Sequence, residues 1–198
     1  MRLKTALTLV FLLLSCQAIS QDKTTIRIGA LAFGTVNWEL TALANAGMDQ
    51  TSAFKLDITK LANPQAAKIA LQSGAVDMIV SDWIWVSRQR AVGFDFTFYP
   101  YSNTAGALVV PADSPIKEIA DLKSVKLGIA GGGLDKNWLL LQSLASQNQL
   151  NLDQSVEKTF GAPPLLNQLI LRNDLDALIT YWHYGVRLEA QGYRQIID

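Results

Sequence analysis

The chain has 198 residues, 49% hydrophobic and 17% charged, a balance too apolar for disorder and sufficient for a sizeable core. Seventeen basic residues offset seventeen acidic ones, so no global positive field gathers nucleic acid or anionic membrane, and nucleic-acid binding is not expected. With one cysteine and one histidine, a Cys/His zinc site, an intrachain disulfide and a cysteine–histidine nucleophilic pair lack parts. No cofactor or metal is expected, and only a site built from carboxylates alone stays open.

Arg2 and Lys4 precede the apolar run Leu7 to Leu14, long enough for an export-signal core and too short to span a bilayer. Residues 1–20 therefore read as a signal peptide. Two cleavages compete. Leu13-Leu14-Ser15-Cys16 resembles a bacterial lipobox that would leave Cys16 acylated, whereas Ala18-Ile19-Ser20 resembles an ordinary leader-peptidase site and is preferred. Its removal takes away Arg2 and Lys4 and no acid, leaving a net charge of −2. The mature domain is expected in the periplasm or another extracytoplasmic space.

Short β-type runs then alternate with helical stretches. Thr25 to Leu31 predicts a strand, Asn37 to Gly47 a helix stopped by glycine, and Lys55 to Leu61 a strand. Pro64 to Gln72 opens with proline where a helix tolerates it. Val76 to Val80 predicts a buried strand, Asp82 to Ala91 a helix and Phe94 to Tyr99 a further strand. Thr104 to Val110 is an apolar extended run, and Ser114 to Lys123 carries a helical pattern.

The series restarts with strands at Val125 to Ala130, Val156 to Phe160 and Leu175 to Ile179, helices at Leu134 to Asn148 and Pro163 to Leu171, and helix again near Trp182. A shift of 99 positions superposes the passes without a gap. It sets Gly29 on Gly128, Gly34 on Gly133, Pro64 on Pro163, Asp77 on Asp176, Trp83 on Trp182 and Gly93 on Gly192. The expectation is α/β with two similar lobes: lobe one over residues 25–110 including a first crossing strand, a connection over 111–124, and lobe two over 125–198. Two such lobes enclose a cleft, and open α/β sheets bind ligands beyond the carboxyl ends of their strands.

Gly131, Gly132 and Gly133 lie between a strand and a helix, where glycine permits close approach and helix-start N–H groups attract a carboxylate, sulfonate or phosphate. A tight structural turn explains the same residues equally well. In lobe one the corresponding turn offers Thr35 and Asn37 as polar contacts and Trp38 as a flat wall. Ser81 and Asp82 end a strand and either face the cleft or cap the next helix. Tyr181 and Trp182 supply aromatic area to the opposite lip, the alternative for Trp182 and its counterpart Trp83 being to pack each helix on its sheet. Asn103 and Thr104 sit where the chain crosses between lobes. His183 has no partner for base catalysis and reads as a satisfied or exposed imidazole.

The phrases Leu71-Gln72-Ser73-Gly74-Ala75-Val76-Asp77, Ser114-Pro115-Ile116-Lys117-Glu118-Ile119-Ala120-Asp121-Leu122-Lys123 before Val125 to Gly131, and Asp176-Ala177-Leu178-Ile179-Thr180-Tyr181-Trp182 occur in order across residues 25–198. In this the chain resembles bacterial periplasmic solute-binding proteins of ABC importers, most of all the sulfonate, nitrate and thiamine-precursor group. The resemblance implies a type II periplasmic-binding-protein fold, a small-molecule solute as ligand, an inner-membrane ABC permease as partner and a monomeric, noncatalytic receptor. Two departures stand out. Trp182 and His183 occupy positions where relatives carry an acidic residue and a proline, so ligand contacts do not transfer. Relatives also return from lobe two to lobe one, whereas Asp198 maps onto Tyr99 and the return segment is expected to be lacking.

The leading expectation is thus a receptor that captures a small anionic or zwitterionic organic solute for import. The alternatives are an accessory or sensory binding protein of the same fold serving a redox enzyme or signalling receptor, and, further behind, a biosynthetic enzyme.

Overall fold

The computed structural model describes residues 23–197, so the leader, both cleavage sites and Cys16 lie outside the described residues. Lobe one contains β1 (Thr24–Leu31), α1 (Thr35–Asn45), the short α2 (Met48–Thr51), β2 (Phe54–Leu61), α3 (Pro64–Gln72), β3 (Met78–Ile79) and α4 (Trp83–Ala91). Its three strands run parallel in the order β2-β1-β3. The chain then crosses into β4 (Gly106–Val110), makes one 3₁₀ turn at Ile119–Asp121 and builds lobe two. That lobe comprises β5 (Lys126–Ala130), α5 (Lys136–Gln147), α6 (Leu152–Ser155), β6 (Glu157–Gly161), α7 (Pro163–Leu171), β7 (Ala177–Tyr181), α8 (Trp182–Glu189) and β8 (Arg194–Ile197).

The second sheet has the order β6-β5-β7-β4-β8. Its β5 pairs in parallel with β6 and β7, whereas β4 enters antiparallel between β7 and β8. Residues 106–110, assigned from sequence to lobe one, therefore belong to the sheet of lobe two. Alternation along β4 sends Leu108 and Val110 to one face with Trp138, Leu141 and Ala145 of α5, and Ala107 and Val109 to the other with Leu166, Ile170 and Leu188 of α7 and α8.

The 99-residue correspondence extends to individual bonds. The Asp77 carboxylate accepts from the Arg27 amide at 2.8 Å, and Asp176 accepts from the Lys126 amide at 2.7 Å. Gly74 and Asn173 both take positive φ, as do Gly93 and Gly192. At both Gly29 and Gly128 an added Cβ would run into packed side chains, in the former Leu61 Cδ1 at 2.9 Å and in the latter Leu175 Cδ1 at 2.7 Å and Leu178 Cδ1 at 2.9 Å.

Two expected elements do not form. Phe94 to Tyr99 has no strand pairing. Its lobe-two counterpart, β8, is held by β4, and among the described residues no strand fills the equivalent place beside β3. Ser114 to Lys123 forms one 3₁₀ turn instead of a helix because local side chains capture its backbone. Asp121 accepts from the Lys117 and Glu118 amides at 2.8 and 3.1 Å, which lowers its pKa, and Arg194 binds the Ala112, Ser114 and Ile116 carbonyls at 3.0, 2.8 and 3.2 Å.

Overpacking of a filled core costs about 1–3 kcal/mol. Gly128→Ala is expected to lower unfolding stability by that amount in urea titrations with an unchanged slope.

Candidate functional site

A cavity of about 220 Å³ lies where the lobes meet. Lobe one contributes the end of β1, the start of α1, the first turns of α3 and the Val80-Ser81-Asp82 exit from β3. Lobe two contributes Gly131, the start of α5, and Tyr181 to His183, with Thr104 to Gly106 passing between. Apart from the crossing segment, which enters β4 here, these edges lie at or just beyond the carboxyl ends of strands, where parallel α/β units leave room for a ligand.

Among the described residues two direct hydrogen bonds tie the lobes together. Gln65 Nε2 donates to the Gly131 carbonyl at 2.8 Å. His183 Nε2 lies 3.0 Å from the Phe33 carbonyl, which can only accept, so Nε2 carries the proton. The other ring nitrogen, Nδ1, is buried without a partner among the described residues. Burial lowers the imidazole pKa and keeps the ring neutral. Trp38 packs its ring against His183 edge-on, with centroids 5.2 Å apart.

In lobe one, Lys68 Nζ lies 3.3 Å from Asp82 Oδ2 while Asp82 Oδ1 accepts from the Trp85 amide at 2.7 Å. Asp82 thus caps α4 and faces the cavity, performing both roles open from sequence. Ser81 also lines it, and its buried Oγ has no partner among the described residues.

In lobe two, positive φ at Gly131 and Gly132 turns the chain sharply into α5. Asp135 caps that helix, its Oδ1 accepting from the Asn137 amide at 2.9 Å. Asn137 Oδ1 in turn receives the Gly106 amide at 3.0 Å, fixing the crossing chain to α5. The Asp135 carboxyl is pushed up to about 6, chiefly by burial, with the Asp82 charge adding to the shift and the Asn137 amide and Lys68 opposing it. Burial likewise raises the Tyr181 pKa, and the Asp135 charge reinforces this, so the phenol remains a neutral donor. The space beside Gly131 Cα is filled by Asp135 Oδ2 and the Tyr181 hydroxyl together, which requires glycine there.

Of the residues anticipated from sequence, Thr35, Ser81, Asp82, Thr104, Gly131, Tyr181 and Trp182 line the cavity. Asn37, Trp38, Asn103, Gly132 and Gly133 are not among its lining residues. Trp38 stands behind His183, and Gly132 lies beside Gln65. Trp83 and Trp182 are exposed, 58% and 43%, so neither is packed away on its sheet. Sequence reasoning missed Gln65, Lys68, Asp135 and Asn137. The preference of aspartate for helix caps marks Asp135 as the residue that ends the glycine turn. The Lys68–Asp82 pair joins separate elements and leaves no local signal. Among the described residues no group of three or more His, Cys, Asp or Glu gathers to hold a metal, and no helix is long and apolar enough to cross a membrane.

The family described as NMT1/THI5 like matches residues 50–198. The periplasmic aliphatic sulphonate-binding protein SsuA from Escherichia coli is similar in structure, with 22% identity, a TM-score of 0.68, and coverage of 89% of this chain and 61% of that one. The alkanesulfonate-binding protein SsuA from Xanthomonas axonopodis pv. citri, bound to MOPS, is 19% identical with a TM-score of 0.70 and the same coverages, 89% and 61%. An ancestral arginine-binding protein bound to glutamine is 19% identical with a TM-score of 0.60, over 90% of this chain and 80% of that one. The chain thus spans about 61% of the length of both sulfonate-binding neighbours. Comparison with curated proteins gives no match.

Between the ordinary carboxylate value of 3.8 and about 6, the folded protein holds a proton on Asp135 that the unfolded chain has released, so stability falls as pH rises through that window. Relative to Asp135→Asn, which retains a capping residue, the wild type is expected to lose on the order of 2 kcal/mol between pH 4 and pH 7, measured by urea unfolding.

Proposed function

The chain belongs to the NMT1/THI5-like family and has the type II periplasmic-binding-protein fold, and from that premise we propose that it is an extracytoplasmic receptor for a small organic solute. The solute is captured between the lobes and handed to an ABC-type permease in the membrane. The observation that carries this reading is the cavity itself, to which both lobes contribute polar groups and across which Gln65 and His183 already bridge. A ligand touching both walls favours the closed arrangement because it loses contacts when the lobes part.

The finer character of the solute follows from the walls. At the start of α1, Gly34 makes no side-chain cap and the first turn holds no acid, so its N–H groups suit an anionic group. The start of α5 is already met by its own Asp135 carboxylate. Lys68 and Lys136 match Asp82 and Asp135 among the lining charges, a balance that suits a zwitterion better than a bare anion. The groups present support binding without turnover: His183 is tied to the Phe33 carbonyl and Lys68 to Asp82. The sulfonate and amino-acid ligands named for the neighbours set the first compounds to try. The export signal over residues 1–20 supports extracytoplasmic placement, with anchoring through Cys16 as the alternative processing.

Thermal shift and tryptophan fluorescence of the mature chain against sulfonates, amino acids, amines and pyrimidines test the reading. A selective binder is expected to raise Tm in proportion to RT ln(1 + [L]/Kd). Trp182→Ala, which removes an exposed cleft wall, is expected to weaken that binder about tenfold or more with Tm of the free protein nearly unchanged. If no compound shifts either signal, the receptor reading falls.

A further inference from the structure

The two lobes present opposite chemistry at matched positions. Val36, at the start of α1, is the 99-residue counterpart of Asp135, so lobe one has an apolar side chain where lobe two has a half-buried carboxylate. Among the described residues Asp135 makes no ion pair. The Lys68 ammonium is bonded to Asp82, and Lys136 Nζ lies 3.5 Å from the Thr104 carbonyl, at the edge of the cavity. One carboxylate oxygen serves the helix cap, and the other rests over Gly131, as does the hydroxyl of the half-buried Tyr181. A carboxylate withdrawn from water without a cation is costly, and a ligand supplying one offsets that cost.

We propose that the solute carries an N–H-bearing cation, an ammonium or amidinium, seated against Asp135 and Tyr181 of lobe two while its remainder reaches lobe one. The proposal rests on the reading of the cleft as a solute site and narrows it. Ammonium N–H groups donate to the free Asp135 oxygen and to the Tyr181 oxygen, and the Ser81 hydroxyl on the facing wall is a further acceptor. Gly131 is what permits the approach, since a side chain there would occupy the space that Asp135 and Tyr181 share. The cavity, about 220 Å³, lies below the usual range for drug-sized ligands, which restricts the cation to a small molecule.

Calorimetric titration at pH 7.5 with matched pairs decides the matter: taurine against ethanesulfonate, β-alanine against propionate, and putrescine against 1,4-butanediol. The amine member of at least one pair is expected to bind at least tenfold more tightly than its amine-free counterpart. Asp135→Asn, which keeps the helix cap, is expected to erase that preference, and Tyr181→Phe, which keeps the ring, to reduce it by several-fold. Equal or weaker binding of the amine members overturns the proposal while leaving a solute receptor in place. So does an amine preference that persists undiminished in both variants. Silence from all three pairs also overturns it, and a binder then found elsewhere in the wider panel preserves the receptor reading.

Discussion

The antiparallel entry of β4 between β7 and β8 is the constraint on which the rest of the arrangement depends. This strand arrives from lobe one, and its side chains serve both cores of lobe two: Leu108 and Val110 on one face, Ala107 and Val109 on the other. Full burial of a Leu or Val is worth about 1.5–3 kcal/mol, so a few residues anchor the crossing firmly. The same pairing sets Gly106 opposite Tyr181, and the Asn137 side chain holds the Gly106 amide. Crossing segment, aromatic lip and helix start are therefore positioned by one strand. Lobe one shows the converse. Without an equivalent strand among its described residues, Met78 at β3 is half-exposed, and Phe94 to Tyr99 has no sheet to join.

That contrast explains what could be read in advance. Proline at a helix start, glycine beneath a packed helix and aspartate at a strand entry act through local backbone geometry or through partners at a fixed spacing. The repeat consequently predicted α3 and α7 to the residue and placed Asp77 and Asp176 at equivalent junctions. A strand is different, because its hydrogen bonds belong to a neighbour. The alternation of Phe94, Phe96 and Phe98 with polar residues is a genuine strand pattern, but pattern alone supplies no partner. In Ser114 to Lys123 the helical periodicity competes with Asp121 and the distant Arg194, which take the same backbone groups for a tighter turn.

The site was legible where single residues lie at strand ends and obscure where function comes from a meeting. Tyr181, Ser81 and Asp82 follow from their positions at the end of β7 and just beyond β3. The triglycine turn was also legible, but the occupant of the following helix start was not. A helix N-terminus attracts negative charge from whatever source is nearest, and here that source is the next residue but one after the glycines, Asp135. An expected anion cradle is thereby converted into a carboxylate held in a cleft. Gln65 and Lys68 escape any local reading because Gln65 gains its role only against Gly131 in the other lobe and Lys68 only against Asp82, on another element.

The same cross-lobe contacts bear on how the cleft can work. A hydrogen bond contributes on the order of 1 kcal/mol net, so the pair formed by Gln65 and His183 weights the lobe arrangement by only tens-fold. On the proposed reading as a solute receptor, such a weight is comparable with what a modest ligand supplies and would keep open and closed arrangements within reach of one another. A much larger permanent interface would close the cleft regardless of occupancy, and a much smaller one would make ligand binding do all the work of ordering it. His183 suits this intermediate role through its chemistry. Burial keeps the ring neutral, so its bond to Phe33 is an ordinary one between uncharged groups, and the lobes are clasped without an ion pair whose desolvation would have to be repeated at every opening.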